Sequence, residues 1–312
     1  MELIDVAIVG GGPAGLTAAN TLARQLHTAV VFDNGLYRNA GSSHMHMLPT
    51  WDHKDPEDFR RAARENILAN YSTIQFADVG VSRISKTADA HFELTDGSGK
   101  VWGFRRVILA VGSGDNFPKI DGYEALWKKR IFHCLFCKGY EDRGPGSSGV
   151  LAIPPTVPAV AAHMAQNAAQ LSETVTIYTN GDDAVRSELG PMVGALVESK
   201  FSVEARKIKR ISAKGEASVT VEFEDGSSRE ENFLVHNPET RAQGPFVEQL
   251  GLEVTPAGDI KADGPFWGTS VAGVYAVGDC STPYKVIPSA ITSGCNAAVA
   301  VAAELQAAKY AK

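Results

Sequence analysis

The chain has 312 residues, of which 44% are hydrophobic and 21% charged, with 30 glycines, 15 prolines and a formal charge of −6; this suits two α/β domains of roughly 150 residues each and excludes a disordered or fibrous protein. Nucleic-acid binding needs clustered Lys and Arg, which the acidic balance opposes, and no apolar run approaches the ~20 residues that span a bilayer. The apolar run at 3–9 leads into a glycine loop instead of a signal-peptide cleavage site, so a cytoplasmic protein without nucleic-acid or membrane partners is expected.

In chain order, residues 5–9 form a continuous apolar, β-rich run that suits a buried parallel strand. The loop Gly10-Gly11-Gly12-Pro13-Ala14-Gly15 follows, and apolar residues at 16, 18, 19, 22, 23 and 26 then mark a helix over 16–26. A second strand over 29–32 ends at Asp33, which completes one βαβ unit. Residues 39–56 hold three histidines, two prolines and Trp51 without periodicity and read as a long loop. A helix over 56–71 and strands over 75–82, 90–95 and 101–110 come next, and the turn formers at 113–118 mark a linker. A second βαβ pattern runs from Gly149: strand 150–153, helix 159–171, strand 175–179. Further strands fit 219–224 and 233–237, and the chain closes with a strand over 273–278, a polar loop and an alanine-rich helix over 289–305.

The spacing Gly10-x-Gly12-x-x-Gly15 between a strand and a helix has the mechanics of dinucleotide binding. The first glycine permits a tight turn, the second lets backbone approach a pyrophosphate, and the third allows close helix–strand packing, with helix N-terminal amides facing the phosphates. Asp33 stands about twenty residues on, placed to accept from a ribose hydroxyl.

Gly273-Val274-Tyr275-Ala276-Val277-Gly278-Asp279 resembles the C-terminal flavin motif of the pyridine nucleotide-disulfide oxidoreductases, and Ile108-Leu109-Ala110-Val111-Gly112 resembles their central strand–turn motif. The resemblance implies FAD at the first site, with Gly10, Gly12, Pro13, Ala14, Gly15, Asp33, Ala110, Gly112, Gly278 and Asp279 around it. It also implies an α/β fold of two Rossmann-like domains, the second inserted in the first: residues 1–117 and 245–312 for the flavin, 118–244 between them. A homodimer is implied by the same likeness and by no periodicity.

His133-Cys134-Leu135-Phe136-Cys137 precedes the second βαβ unit, the position of the redox dithiol in low-molecular-weight thioredoxin reductases. Four cysteines are too few for a disulfide scaffold in a chain of this length. A structural zinc site would want a second ligand pair, and Cys280 and Cys295 are too far apart in sequence to supply one; both read as small hydrophobes. Thiol–disulfide exchange needs two sulfurs in local reach and a thiolate, which His133, Lys138 or a helix N-terminus favours. By the resemblance Cys137 faces the flavin and Cys134 exchanges with substrate. Lys138 stands where those reductases carry an acid, so the general base is assigned to His133.

After the strand at 150–153 a nicotinamide site should carry glycines, but the chain reads Pro154-Pro155-Thr156-Val157-Pro158. Prolines remove amide donors and cannot make the glycine turn. Tyr178-Thr179-Asn180-Gly181 offers no arginines for a 2′-phosphate. Without NADPH the electron flow reverses, and the chain resembles the gliotoxin-type dithiol oxidases across nearly its whole length: residues 22–33, Tyr37-Arg38-Asn39, His44-Met45-His46, Trp51-Asp52-His53, the His-Cys-Leu-Phe-Cys segment and residues 175–181. That resemblance implies an epipolythiodioxopiperazine-like dithiol as substrate, O2 as acceptor, and Asn34, Arg38, Asn39, His46, Val286 and Ile287 bordering FAD. A metal at His44, His46 and His53 is weighed and set aside, because loop histidines near a flavin more often pack or hydrogen-bond. Trp51, Phe132 and Phe136 suit an apolar cleft or a core equally. Two rivals remain: a disulfide reductase fed by NADPH or ferredoxin, and a flavoprotein that binds a dithiol without turnover.

Overall fold

The computed structural model describes residues 3–311. The chain forms two compact units, Met1–Gly114 with Thr240–Lys312, and Asp115–Glu239 inserted between them; the sequence reading sets the crossings slightly later, at 117/118 and 244/245.

The first unit begins with β1 (Ile4–Val9), α1 (Pro13–Ala23), β2 (Ala29–Phe32), α2 (Pro56–Asn70), β3 (Ile74–Ala77), β4 (Val81–Lys86), β5 (Phe92–Asp96) and β6 (Val101–Leu109). β1 is apolar apart from Asp5 and buried over its last four residues, so it takes a central place, parallel to β2 on one side and to β6 on the other. The expected single strand over 75–82 is corrected to two. Val79 N–H donates to Ala77 O at 2.8 Å and Gly80 O accepts from Gly97 N–H at 2.7 Å, which turns the chain at 78–80. β4, β5 and the first half of β6 form an antiparallel meander.

β7 (Ser113–Asn116) spans the first crossing, and the inserted unit contains α3 (Tyr123–Leu126), β8 (Ile131–Phe132), β9 (Gly144–Leu151), α4 (Pro158–Ala168), β10 (Ser172–Tyr178), α5 (Asp183–Gly194), β11 (Phe201–Glu204), β12 (Ile208–Lys214), β13 (Ser218–Phe223), β14 (Ser228–Glu231) and β15 (Leu234–Val235). Its main sheet is wholly parallel in the order β11-β10-β9-β15-β8, with β12-β13-β14 as a separate antiparallel sheet. Gly149 is closely flanked in this sheet, since a Cβ there would lie 2.4 Å from Leu234 Cδ2 and 2.7 Å from Tyr178 Cε2.

The chain returns through β16 (Glu239–Ala242), which pairs with β7, then α6 (Phe246–Leu250), β17 (Ala262–Asp263), β18 (Gly268–Thr269), β19 (Val274–Ala276) and α7 (Ile287–Tyr310). β19 adds to β6 in parallel, so the first unit's parallel order is β19-β6-β1-β2-β3. α1 and α7 cover one face of it, with Leu16, Ala18, Leu22, Ala297, Ala298 and Val301 in one buried cluster. The helices pack backbone to backbone: a Cβ on Gly294 would lie 2.2 Å from Ala14 O. Both units are α/β with a parallel sheet, as expected. Among the described residues no helix is long and apolar enough to cross a membrane.

Candidate active site

The glycine loop lies where β1 and β6 end side by side. Gly10 has φ 118°, and a Cβ on it would lie 2.2 Å from Ala110 O. A Cβ on Gly15 would lie 1.9 Å from Gly10 O, so that glycine closes the helix onto the turn. At Gly12 a Cβ would meet nothing within 4 Å. This open space lies at the N-cap of α1, with Pro13 at the first helical position, where first-turn amides have no partner inside the helix and favour an anion. The cradle therefore fits a dinucleotide pyrophosphate.

Asp33 follows β2 and lies over Gly11, where a Cβ would be 2.1 Å from its Oδ2. Its Oδ1 accepts from Gly35 N–H at 3.0 Å and its Oδ2 from the Tyr37 hydroxyl at 2.5 Å. Burial, and then this bond to Asp33, raise the Tyr37 hydroxyl well above the ordinary phenol range. The Arg60 guanidinium stacks 3.9 Å from the Tyr37 ring and donates to Asn39 Oδ1 at 3.0 Å, while Asn34 Oδ1 accepts from Leu36 N–H at 3.0 Å. Tyr37 and Arg60, which sequence reasoning missed as organisers, thus brace the segment after β2.

The C-terminal motif meets this cradle. Gly278 has φ 73° and its Cβ position lies 3.1 Å from Ala14 Cβ; its N–H donates to the buried Ser293 hydroxyl at 2.9 Å. Arg38 Nη1 stands 3.6 Å from Asp279 Oδ2, which ties two predicted cofactor residues together. Gly112 adopts φ 69°. Val286 is the N-cap of α7 and Ile287 its first residue. Lys285, also missed, donates to Asp279 O and Thr282 O at 2.7 Å each. His46 lies apart from the glycine loop in sequence, in the loop before α2, with Nδ1 3.4 Å from Asp52 Oδ1.

In the inserted unit Cys134 and Cys137 form a disulfide. They occupy a turn after β8, and no α-helix begins at the pair, so the helix-terminus route to a stabilised thiolate is replaced by a backbone one. Cys137 N–H donates to Cys134 Sγ at 3.1 Å, and Cys134 O accepts from Cys137 N–H and Lys138 N–H at 3.2 and 3.0 Å. Lys138 Nζ lies 5.4 Å from the Phe132 ring centroid, and the His133 ring is 6.0 Å from that of Trp127. Phe132 is buried, whereas Phe136 is 68% exposed beside the disulfide. Glu141 Oε2 accepts from Gly139 N–H at 3.4 Å, a nearby carboxylate that the reading of Lys138 overlooked. Cys280, by contrast, is fully buried in the first unit, and burial pushes its thiol up to about 12.

The loop between β9 and α4 is closed on itself. Pro154, Pro155 and Pro158 have no amide hydrogen, and Thr156 N–H donates to Ile153 O at 3.0 Å. The Thr156 hydroxyl donates to Asn237 O at 3.2 Å. The same Ile153 carbonyl lies 3.2 Å from His236 Nε2, whose Nδ1 lies 2.7 Å from the Tyr123 hydroxyl. Burial lowers the His236 imidazole to about 4, so it is neutral, accepting at Nδ1 and donating at Nε2. After β10, Asn180 Oδ1 accepts from Ile208 N–H at 2.8 Å. Asp182 caps α5, accepting from Ala184 and Val185 N–H at 3.0 Å each. Arg206 and Lys207, cations near this turn that sequence reasoning missed, pair with Glu204 and Glu224.

A profile described as "Pyridine nucleotide-disulphide oxidoreductase" matches residues 4–297. The chain is 42% identical over 313 residues to "Thioredoxin reductase aclD" of Aspergillus oryzae, with 99% of each chain covered. It is 43% identical over 296 residues to "Thioredoxin reductase tcpT" of Claviceps purpurea, covering 94% of this chain and 91% of that one. Among solved structures, a putative thioredoxin reductase TrxB from Bacillus anthracis superposes with TM-score 0.85 at 26% identity, covering 98% of this chain and 100% of the other.

Proposed function

The chain belongs to the pyridine nucleotide-disulphide oxidoreductase family and is an FAD-dependent thiol/disulfide oxidoreductase; from that premise we propose that it is a dithiol oxidase, closing the disulfide of a small natural-product dithiol of the epipolythiodioxopiperazine class with O2 as acceptor. The observation that carries the direction is the loop at 154–158. Three of its five residues have no N–H and Thr156 spends its own on Ile153 O, leaving a single amide, that of Val157, where a pyrophosphate cradle needs several. Asn180, Asp182 and Arg206 are likewise engaged inside the protein.

On this reading a substrate thiolate attacks Cys134 Sγ, the Cys134–Cys137 bond breaks, and Cys137 leaves as thiolate. The second substrate thiolate attacks the substrate sulfur of that mixed disulfide, which forms the product disulfide and releases Cys134 as thiolate. Cys137 N–H, 3.1 Å from Cys134 Sγ, is placed to stabilise that leaving group. His133, next to Cys134, is our candidate for the base that takes a substrate proton. Gly10, Gly12, Pro13, Ala14, Gly15, Asp33, Asn34, Arg38, Asn39, His46, Ala110, Gly112, Gly278, Asp279, Val286 and Ile287 are our candidates for holding FAD. FAD held there would supply a two-electron acceptor for the reduced cysteine pair, with O2 as the final acceptor and hydrogen peroxide as its product. The exposed Phe136 gives an aromatic-derived substrate a surface to pack on. A homodimer in the cytoplasm completes this reading, and light scattering tests the dimer.

The test is anaerobic mixing of the yellow protein with dithiothreitol. Bleaching without NADPH, return of colour in air with one peroxide per dithiol, and loss of both in Cys134→Ser and in Cys137→Ser are expected. The relatives, named thioredoxin reductases, favour the opposite direction, reduction of a disulfide substrate. That second reading prevails if micromolar NADPH bleaches the protein rapidly and dithiothreitol does not.

A further inference from the structure

The loop before α2 is folded back on itself. Met45 N–H donates to Lys54 O at 2.7 Å and His53 N–H to Met45 O at 3.0 Å, a single antiparallel bridge that sets residue 46 opposite residues 52 and 53. Met47 N–H donates to Asp52 Oδ1 at 3.1 Å and fixes that carboxylate. His46 Nδ1 then stands 3.4 Å from Asp52 Oδ1, and His53 Nε2 stands 3.5 Å from Asp52 Oδ2. The two imidazoles meet edge to face, with centroids 4.6 Å apart.

We propose that His46, Asp52 and His53 form a three-ligand site for a divalent transition ion of the zinc class. One ligand atom from each residue lies within 4.8 Å of the other two. Zinc bonds to imidazole nitrogen and carboxylate oxygen at about 2.0–2.2 Å, so neighbouring ligand atoms on a tetrahedron stand roughly 3.3–3.5 Å apart. His46 Nδ1 is 3.4 Å from Asp52 Oδ1 and His53 Nε2 is 3.5 Å from Oδ2, so each nitrogen stands about one such edge from its own carboxylate oxygen and beyond the usual span of an N–H···O bond. Two neutral imidazoles and one carboxylate place a single negative charge against the cation, with a ligand set that suits zinc, cobalt or copper over magnesium or calcium. The His53 and Asp52 side chains are 59% and 50% exposed, so a bound ion keeps at least one position for water or a thiolate. The sequence reading set aside a metal at His44, His46 and His53. The structure turns His44 to the Ser43 hydroxyl at 3.1 Å and brings Asp52 in its place.

The experiment is calorimetric titration of zinc sulfate into the FAD-loaded protein, kept oxidised so that Cys134 and Cys137 offer no thiolate. One zinc per chain is expected. His53→Ala and Asp52→Ala should each weaken it on the order of tenfold or more, with an unchanged melting temperature for His53→Ala in the absence of zinc. Asp52→Asn, which keeps an acceptor for Met47 N–H, should weaken it comparably, and His44→Ala should bind as the parent does. Absence of binding up to millimolar zinc, equal affinity in His53→Ala, or an equal loss in His44→Ala overturns the site.

Discussion

Lys285 Nζ lies 2.6 Å from Asp259 Oδ1, with the two side chains only 7% and 3% exposed. The same ammonium holds the carbonyls of Asp279 and Thr282, so one buried cation fixes the backbone directly after the flavin motif. Removing one partner of such a pair leaves the other charge uncompensated and costs about 3–5 kcal/mol. Lys285→Met is therefore expected to lower the urea midpoint sharply and to purify with little FAD. Combining it with Asp259→Leu should recover much of the stability, because the stranded carboxylate is gone. A Lys285→Met protein as stable as the parent sinks this account.

Two glycines of the cradle, Gly12 and Gly15, separate fold from ligand. Gly12→Val adds a side chain where the first carbon meets no protein atom, so the apoprotein should unfold at the parental urea concentration while FAD occupancy falls on the order of tenfold. Gly15→Ala drives its Cβ into Gly10 O, and stability and flavin should be lost together. The two melting curves and the ratio of flavin to protein absorbance decide; equal FAD occupancy in Gly12→Val refutes the placement of the pyrophosphate.

Acid should weaken the fold through His236. Its unfolded imidazole takes a proton at about 6.5 and the folded one at about 4, so between these values the unfolded chain binds more protons. The contribution is complete above about pH 6.5 and is lost as pH falls towards 4, a total of about 3 kcal/mol. Urea midpoints at pH 7 and pH 5 should differ accordingly. His236→Phe, although less stable at pH 7 because Tyr123 loses its acceptor, should show a flatter dependence across the window. An unchanged slope in that variant removes His236 as the cause.

Thiol reactivity should divide along burial. Cys280 Sγ donates to Val277 O at 3.2 Å and is held up at about 12, so iodoacetamide at pH 8 should modify it only after unfolding. Once the disulfide is reduced, Cys134 and Cys137 should be alkylated in the native protein. Peptide mass mapping checks both; native labelling of Cys280 contradicts the burial argument.

The parallel cores were legible where local chemistry and tertiary place agree. β1, α1, β10 and α7 have apolar residues at the right period, and the glycine cradle announces itself by its spacing, Gly10 and Gly15 answering close backbone approaches and Gly12 leaving open space. β9 was read from residue 150 onward, although it begins at Gly144; Gly144-Pro145-Gly146-Ser147-Ser148 has no strand preference, and the strand exists through its ladders to β10 and β15. α5 was missed because Gly190 and Pro191 interrupt it, although Asp182 caps it in the ordinary way. The Lys285–Asp259 pair and the entry of Asp52 between two histidines left no local signal, since each depends on a chain closure set by distant hydrogen bonds. The sequence left three sources of thiolate stabilisation open at Cys134–Cys137, His133, Lys138 or a helix N-terminus, and a Cys-x-x-Cys reads the same in a turn as at a helix start; the structure has a turn there.

The carbonyl of Ile153 takes hydrogen bonds from Thr156 and from His236 together. Reopening the neighbouring loop to a nicotinamide coenzyme would thus demand more than trading prolines for glycines: Thr156 must be freed, His236 needs another acceptor, and Tyr123 moves with it. Intermediate sequences would carry orphaned buried dipoles before gaining any new ligand. On the dithiol-oxidase reading, the choice of electron source is in this sense ratcheted, with single substitutions meeting a penalty before any gain.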